Sequence, residues 1–212
     1  MKTRDKIVFA ALELFNEHGE RTITTNHIAA HIDISPGNLY YHFRNKQEIV
    51  REIFLLYSRE LLERFEPVQE QAESLALLKQ YLDSIFNLMW KYRFFYANLP
   101  DILQRDESLH EDYIAVQNKL QANLHNIMKT FLKLGLIDVT EQEIPKFVMS
   151  LHLIASSWLA YRSVMNVGEK ITEEIVHQGM LQMIVVVKPV ATALGREQLQ
   201  LLEDGIRARH CE

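Results

Sequence analysis

Cysteine is almost absent from this sequence, and tracts of low complexity and long apolar runs are missing altogether. The single cysteine, Cys211, cannot form an intrachain disulfide or a thiolate zinc site, which fits the reducing cytoplasm. No Gln/Asn-, Gly/Ser- or Pro-rich tract indicates disorder, no apolar run could span a bilayer, and no signal-peptide cleavage site follows MKTRDKIVFAALELF. We therefore expect a folded, cytoplasmic protein without a membrane partner.

The sequence also lacks the excess of basic residues that a nucleic-acid partner favours, since its net charge is −5. The distribution of charge weakens this objection. Residues 1–64 hold nine Lys/Arg and nine Asp/Glu, which leaves fourteen and nineteen for the rest of the chain. A neutral N-terminal segment is thus joined to an acidic body.

Signatures of enzyme chemistry are missing as well. There is no phosphate-binding glycine loop, no H-E-x-x-H motif and no nucleophile elbow. His27 and His31 have the spacing of two metal ligands on one helix, but no third ligand lies nearby in the sequence, and Asp101 and Asp106 resemble solvated loop residues. We predict no catalytic residue, no metal and no cofactor, and a helical enzyme is the remote alternative.

Apolar residues recur at helical spacing along almost the whole chain, which predicts an all-α fold of roughly ten helices. The periodicity places a first helix ending at Gly19, a short pair within 24–43, and a fourth helix from Asn45 to about Phe65, before the linker-like turn PVQEQAES. The later helices are expected at residues 75–96, 101–106, 109–134, 141–166, 173–194 and 196–208. Pro189 should kink the penultimate helix, and the run Val185–Val187 could form a strand, although no partner strand is evident.

Several helix starts carry capping residues. Asn45 can cap the fourth helix while Glu48 reaches back to it, and Thr140 with Glu143 has the spacing of another capping box. Thr172 precedes two glutamates in a first helical turn, where the helix dipole favours acidic side chains. These signals fix the expected boundaries.

The segment from residue 24 to 49 is the most informative part of the sequence. Thr24 suits the N-cap of a short helix that ends near His31. After a tight turn, Ser35 is a second N-cap and Pro36 takes the first helical position, where its missing N–H costs nothing. Leu39 and, four residues on, Phe43 form the buried face of this second helix. The pattern predicts a helix-turn-helix.

The exposed side chains of the second short helix are suited to DNA. A helix that begins with small residues lets its N-terminus approach the bases and phosphates of a major groove. Asn38 can pair with an adenine edge and Tyr41 can pack on a thymine methyl, while Tyr40, His42 and Lys46 can reach phosphates.

With these residues in place, residues 3–50 resemble the N-terminal DNA-binding domain of the TetR family of transcriptional regulators. The shared pattern is Thr24-x-x-x-Ile28-Ala29, followed by Ile34-Ser35-x-Gly37-x-Leu39-Tyr40-Tyr41-His42-Phe43-x-x-Lys46. The resemblance implies a three-helix DNA-binding domain at 1–48, an effector-binding and dimerisation domain at 49–212, and a homodimer on a near-palindromic double-stranded operator. It also implies phosphate contacts from Thr25, Tyr40, His42 and Lys46, and base contacts from Asn26, Pro36, Gly37, Asn38 and Tyr41.

Two positions depart from the family pattern. Asp33 stands where the family usually has a turn glycine, so we expect a positive φ at an aspartate, which tolerates it better than most residues. Asn26 stands where some relatives have a longer base-reading side chain. The operator sequence therefore cannot be transferred from relatives.

The body is rich in aromatic residues and methionine, which favours an apolar or aromatic effector over a sugar or nucleotide. Ordinary core is the alternative role for each such residue. The expected lining residues are Trp90, Phe94, Phe95, Leu103, Met128, Phe131, His152, Trp158 and Tyr161.

The helices at 141–166 and 173–194 hold more apolar residues than one buried face requires, and the family pairs these helices across a dimer. The sequence therefore predicts a homodimeric regulator, with repression as the commoner family mode. Control by a protein partner, or by no ligand, is the alternative, and a binding module is a remote one.

Overall fold

The computed structural model describes residues 1–67 and 73–208, and within these ranges the chain is helical and contains no β-strand. The predicted all-α fold is confirmed. Most of the predicted turn PVQEQAES lies outside the described residues, as does Cys211. The described residues form α1 (Thr3–His18), α2 (Thr25–His31), α3 (Pro36–His42), α4 (Lys46–Arg64), α5 (Ser74–Lys91), α6 (Arg93–Gln104), α7 (Glu107–Lys133), α8 (Ile144–Met165), α9 (Glu173–Val187) and α10 (Ala193–Ala208).

The first helix packs against the rest of the N-terminal head, which we define as α1–α3, through one apolar face. Ile7, Ala11, Leu14 and Phe15 are all buried on this face. Gly19 ends the helix with a φ of 81°, and its N–H donates to the Phe15 carbonyl over 3.0 Å. Because glycine adopts this φ without steric cost, α1 ends at the predicted residue.

Both short helices of the head carry their predicted caps. The Thr24 hydroxyl accepts from the His27 N–H over 3.3 Å, and the His27 ring nitrogen Nδ1 accepts from the Thr24 N–H over 3.3 Å. The Ser35 hydroxyl accepts from the Asn38 N–H over 3.1 Å, and Pro36 occupies the first turn of α3. These local bonds satisfy backbone donors that a short helix would otherwise leave free.

The turn between α2 and α3 has its positive φ at Asp33, at 55°, as the sequence predicts. The Ile34 N–H donates to the Ala29 carbonyl over 3.0 Å and closes the turn. Leu39 and Phe43 are buried below it. The helix-turn-helix therefore forms without the usual glycine.

The fourth helix belongs to both parts of the molecule. Its Asn45 cap accepts from the Glu48 N–H over 2.9 Å, and the Glu48 carboxylate accepts from the Arg44 N–H, one residue before the expected donor. Buried side chains run from Ile49 to Leu61, and α4 packs both against α1 of the head and against α5 and α7 of the body.

The predicted helices at 75–96 and 101–106 are wrong in their boundaries. α5 ends at Lys91, the chain breaks at Tyr92, and α6 continues through Pro100. A proline inside a helix removes one hydrogen bond and normally breaks it. Here Phe94, Phe95, Tyr96 and Ile102 are buried on both sides of Pro100, and this packing holds the helix together.

Two further boundaries differ because of prolines. α9 ends at Val187 and a single 3₁₀ turn spans Lys188–Val190, so Pro189 ends the helix and does not kink it. The run Val185–Val187 is helical. α8 begins at Ile144 and not at 141, because Pro145 is tolerated only in a first turn, and the predicted Thr140–Glu143 pair closes the turn that precedes it.

The head and the body share one continuous hydrophobic core. Phe15 of α1 packs on Phe94 of α6 with ring centroids 5.3 Å apart. A smaller apolar cluster joins α9 to α10 through Met180, Ile184 and Leu199. Among the helices of the described residues, none is long and apolar enough to cross a membrane.

Candidate DNA-binding interface and ligand cavity

The outer surface of α2 and α3 carries most of the predicted DNA contacts. Asn26, Pro36, Gly37 and Asn38 are exposed, and Tyr41 is the most open of the aromatic residues here at 84% exposure. A large apolar ring with so little burial contributes nothing to the core. The surface is therefore free to contact another molecule.

The predicted phosphate-contacting residues differ in how free they are. The Thr25 and Tyr40 hydroxyls hydrogen-bond to each other over 2.9 Å, which orients both at the edge of the exposed surface. His42 is half-buried beneath the ring of Tyr41, with ring centroids 5.1 Å apart. One of these two hydroxyls donates to the other, so the second hydroxyl and the imidazole could still donate to a phosphate.

The Lys46 ammonium is occupied by acceptors within the protein, which the sequence did not indicate. Its ammonium donates to the backbone carbonyls of Glu20 over 2.8 Å and Ile23 over 3.0 Å, and lies 3.0 Å from the Glu20 carboxylate. An ammonium has three donors, so each has an acceptor here. The predicted phosphate contact from Lys46 competes with these three bonds.

Glu20 is the centre of an ion-pair cluster that joins the head to α6. Its carboxylate is 3% exposed and accepts from Arg105 over 2.6 Å in addition to Lys46. Burial alone would raise the pKa of Glu20, but the hydrogen bonds from Arg105 and Lys46 lower it. Next to it, Arg21 of the head pairs with Asp101 of α6 at the surface.

A second connection lies where α5 breaks into α6. The Asn16 side chain of α1 donates to the Lys91 carbonyl over 2.8 Å and accepts from the Phe94 N–H over 3.1 Å. The break leaves these two backbone groups without helical partners, and one amide satisfies both. α6 is thus bonded to the head at both of its ends.

The body contains a cavity of about 150 Å³ between α4 and the helices from α5 to α10. Of the nine residues expected to line a pocket, Phe95, Met128, Phe131 and His152 do so. They come from three helices, α6, α7 and α8. Their role as effector contacts stays a prediction.

The other five expected residues do not line this cavity. Phe94 faces α1, and Trp90 lies under the Arg93 guanidinium at 4.1 Å from its ring centroid. Leu103 is only partly buried, on the edge of the core. The sequence gives the composition of a helix but not which of its neighbouring aromatic residues face inward.

The remaining two of these five belong to α8 and lie outside the cavity lining. Trp158 donates its indole N–H to the Ile175 carbonyl of α9 over 2.6 Å and covers Gly179, where a Cβ atom would lie 2.6 Å from the indole ring. Tyr161 is mostly exposed. Trp158 therefore sets the spacing of α8 and α9 and does not reach the cavity.

Sequence reasoning missed the contribution of α4 and part of α7 to the cavity. Tyr57 and Leu61 of α4 line it together with Phe65, the C-cap residue of α4, at a spacing of four residues that marks one helix face. Gln117 lines it from α7. The i, i+4, i+8 spacing on α4 was the available signal.

The polar groups of the cavity lining include neighbouring phenols and an imidazole. The Tyr57 hydroxyl donates to the Tyr96 hydroxyl over 3.3 Å. Burial raises the pKa of both phenols above the ordinary value, and burial lowers the pKa of His152. The phenols and the imidazole are therefore neutral at pH 7.

Exposed apolar side chains lie along α8 and on α9. Met149, Leu153 and Val164 of α8 are exposed, the last at 75%, as is Val185 of α9. Isolated exposed apolar residues are common on proteins, but a series on two adjacent helices favours an interface. Among the described residues, no group of three or more His, Cys, Asp or Glu side chains could hold a metal ion.

Comparison with known proteins agrees with this geometry. A family model described as "Bacterial regulatory proteins, tetR family" matches residues 7–53, and the TetR model described as "Bacterial transcriptional repressor" matches residues 56–199. A crystal structure of a TetR-family transcriptional regulator from Marinobacter aquaeolei VT8 is 36% identical, covers 97% of this chain and 99% of its own, and superposes with a TM-score of 0.83.

Curated relatives match over shorter segments. The HTH-type transcriptional regulator UidR of Escherichia coli K12 is 34% identical over 86 residues, 41% of this chain and 42% of UidR. The HTH-type transcriptional regulator QacR of Staphylococcus aureus is 27% identical over 124 residues, 54% of this chain and 66% of QacR. The chain thus spans less than two thirds of the length of these curated relatives.

Proposed function

The chain belongs to the TetR family of bacterial transcriptional regulators, and on that premise we propose that it is a homodimeric repressor released from its operator by an apolar small molecule. Proteins of this family are DNA-binding regulators and not enzymes. An operator on chromosomal DNA implies a cytoplasmic place of action. The family match supports the class, and the geometry supports the division of roles within the chain.

The proposed reading surface is the exposed side of α2 and α3. Asn26, Asn38 and Tyr41 would contact bases from this surface, with Pro36 and Gly37 allowing close approach at the start of α3. The hydroxyls and imidazole described above would hold phosphates. α8 and α9 would form the dimer through their exposed apolar side chains, which gives the two-fold symmetry that a near-palindromic operator needs.

One observation carries the proposal of ligand control: the helices that hold the head also line the cavity. α4 contributes Tyr57, Leu61 and Phe65 to the lining and Lys46 to the Glu20 cluster. α6 likewise lines the cavity and bonds to the head at both ends. A ligand that moves either helix must move the head.

The proposed mechanism is a change in the separation of the two heads. A dimer on DNA needs its recognition helices about 34–36 Å apart, one turn of the double helix. A tilt of α4 alters this separation without altering any base contact. The coupling between effector and operator is expected to be about 1–3 kcal/mol, or roughly 5- to 150-fold in DNA affinity.

The test begins with selection of operators from a random double-stranded DNA pool by the purified full-length protein. We expect an enriched near-palindrome, and its affinity is then measured by fluorescence anisotropy. Asn38→Ala should relax the preference at one base position in each half-site, while Asn118→Ala, an exposed asparagine on α7, should change nothing. Absence of any enriched palindrome would contradict the proposal.

The effector half of the proposal has its own outcome. Apolar compounds that fill the cavity should lower operator affinity at saturation. If compounds bind and operator affinity stays the same, the chain is a regulator controlled by a protein partner or by no ligand.

A further inference from the structure

The cavity lining contains no ionised side chain. Its residues, drawn from seven helices and from the segment between α7 and α8, include no aspartate, glutamate, lysine or arginine. Transfer of an unpaired ion from water into such a site costs several kcal/mol, because nothing there replaces the lost hydration. A charged ligand is therefore excluded by the lining itself.

Three neighbouring polar side chains of the lining, Tyr57, Tyr96 and Gln117, form what we call the polar end of the cavity. The Tyr57 hydroxyl donates to Tyr96, and the Gln117 amide lies beside Tyr57. The Gln117 oxygen Oε1 is buried and has no hydrogen-bond partner among the described residues. A buried acceptor without a donor is energetically unfavourable, so a bound molecule that donates a hydrogen bond to this atom would be stabilised.

The Tyr96 hydroxyl lacks an acceptor, just as Gln117 lacks a donor. It accepts from Tyr57, and its own hydrogen has no acceptor within the described part of the chain. A ligand group that both donates and accepts would satisfy Gln117 and Tyr96 together. A hydroxyl group is the smallest neutral group with both capacities.

The volume of the cavity limits the rest of the ligand. At about 150 Å³ it equals the volume of an engineered apolar protein cavity that binds one benzene molecule. Phe95, Phe131 and Phe147 supply apolar walls around it. The space accommodates a single ring.

We propose that the cavity binds a neutral single-ring molecule that carries a hydroxyl group, with this hydroxyl at the polar end. The inference rests on the proposed role of the cavity as the effector site and names the chemical class of the effector. Phenols and cyclic alcohols belong to this class, whereas carboxylates, amines and hydroxyl-free rings do not.

The test uses five probes of similar shape with the purified full-length protein in the absence of DNA. The probes are 4-methylphenol, its methyl ether, toluene, 4-methylbenzoate and 4-methylbenzylammonium, and binding is measured by isothermal titration calorimetry. We expect 4-methylphenol to bind about fivefold more tightly than the ether, which cannot donate to Gln117, because one satisfied hydrogen bond has about this effect. Toluene, which can neither donate nor accept, should bind more weakly than 4-methylphenol by a larger factor. The two ions should show no measurable binding.

A variant of the polar end tests whether the preference for a hydroxyl group arises there. Gln117→Leu removes the acceptor of the ligand hydroxyl and keeps the Tyr96 donor, so it should reduce the preference for 4-methylphenol over toluene about fivefold and leave toluene binding unchanged. If this variant fails to fold, Tyr96→Phe serves the same purpose, because it keeps the ring and removes the hydroxyl. As a control, Asn118→Ala on the outer side of α7 should keep the full preference.

The outcomes divide cleanly. Equal binding of 4-methylphenol and toluene to the native protein, binding of either ion, no binding of any probe, or an unchanged preference in Gln117→Leu would each overturn the inference. If 4-methylphenol binds with the expected preference but does not change operator affinity, the inference stands and the proposed effector control fails.

Discussion

Glu20→Gln tests the ion-pair cluster that holds the head on α6. The native carboxylate is almost fully buried and accepts charge-assisted hydrogen bonds from Arg105 over 2.6 Å and from Lys46 over 3.0 Å. Removing one partner of a fully buried ion pair costs about 3–5 kcal/mol. Both cations here are partly exposed and the glutamine oxygen still accepts one bond, so we expect a loss of about 2–3 kcal/mol in the free energy of unfolding.

The pH dependence identifies charge as the cause. Burial opposes ionisation of Glu20, but Arg105 and Lys46 lower its pKa below the ordinary value of 4.5. A carboxyl group with a lowered pKa in the folded state contributes stability that is fully present above the unfolded pKa. This contribution is lost as the pH falls through the folded pKa. The difference between native protein and Glu20→Gln should therefore be full near pH 7 and shrink below pH 4.5.

The assay is urea unfolding followed by circular dichroism, near pH 7 and again near pH 4, at fixed protein concentration because a dimer is expected. Asp83→Asn is the control, since its pair with Lys79 lies on the surface of α5 and should contribute no more than about 0.5 kcal/mol. Equal stability of Glu20→Gln and native protein near pH 7 would refute the reasoning. A loss that is the same at both pH values would show that packing, not charge, is responsible.

Three further predictions concern glycine spacing, the turn and DNA reading. Gly179→Ala should destabilise the protein by about 1–3 kcal/mol because the new methyl overlaps an indole ring. Gly205→Ala has open space around it and should stabilise α10 by about 0.5–1 kcal/mol. Thermal unfolding of both variants measures the two effects. Asp33→Val should lower the free energy of unfolding by about 1–2 kcal/mol because valine is strained at the positive φ, whereas Asp33→Gly should lower it little. An equal decrease in both variants would exclude backbone strain as the cause. Lys46→Met should lower the stability of the protein and leave the salt dependence of operator binding unchanged. Asn38→Ala should change the base preference without affecting stability. If the salt slope of Lys46→Met falls by about one unit, Lys46 contacts a phosphate after all.

The head could be predicted closely from the sequence because its signals are local. The caps at Thr24, Ser35 and Asn45 act within three residues of the helices that they start, and a fixed φ at Pro36 reinforces them. Even the positive φ of Asp33 followed from the turn. Lys46 was the exception, since its acceptors lie more than twenty residues away.

The body was less predictable because its boundaries depend on distant residues. The break at Tyr92 is stabilised by Asn16, which lies 75 residues before the carbonyl that it caps, and no local pattern records this. Packing also carried α6 through Pro100 against its intrinsic preference. Composition indicated an apolar cavity, but the inward-facing residues depend on how each helix is rotated, which only the packed structure fixes.

The cavity and the Glu20 cluster are joined by a single rigid element, and this leads to a last prediction. Tyr57 in the cavity wall and Lys46 in the cluster are eleven residues apart on α4, about 16 Å along the helix axis. A ligand changes DNA affinity only if it binds the two head positions with different affinity, so the coupling must pass through contacts that differ between them.

If the Glu20 cluster is such a contact, Glu20→Gln should leave the affinity of 4-methylphenol for the DNA-free protein nearly unchanged and reduce its effect on operator affinity. Linkage requires that DNA alters ligand affinity by the same factor as ligand alters DNA affinity. Calorimetry with and without operator, set against anisotropy with and without ligand, measures both factors. A variant that retained the full native factor in both would place the coupling elsewhere, at the Asn16 connection between α1 and the α5–α6 break.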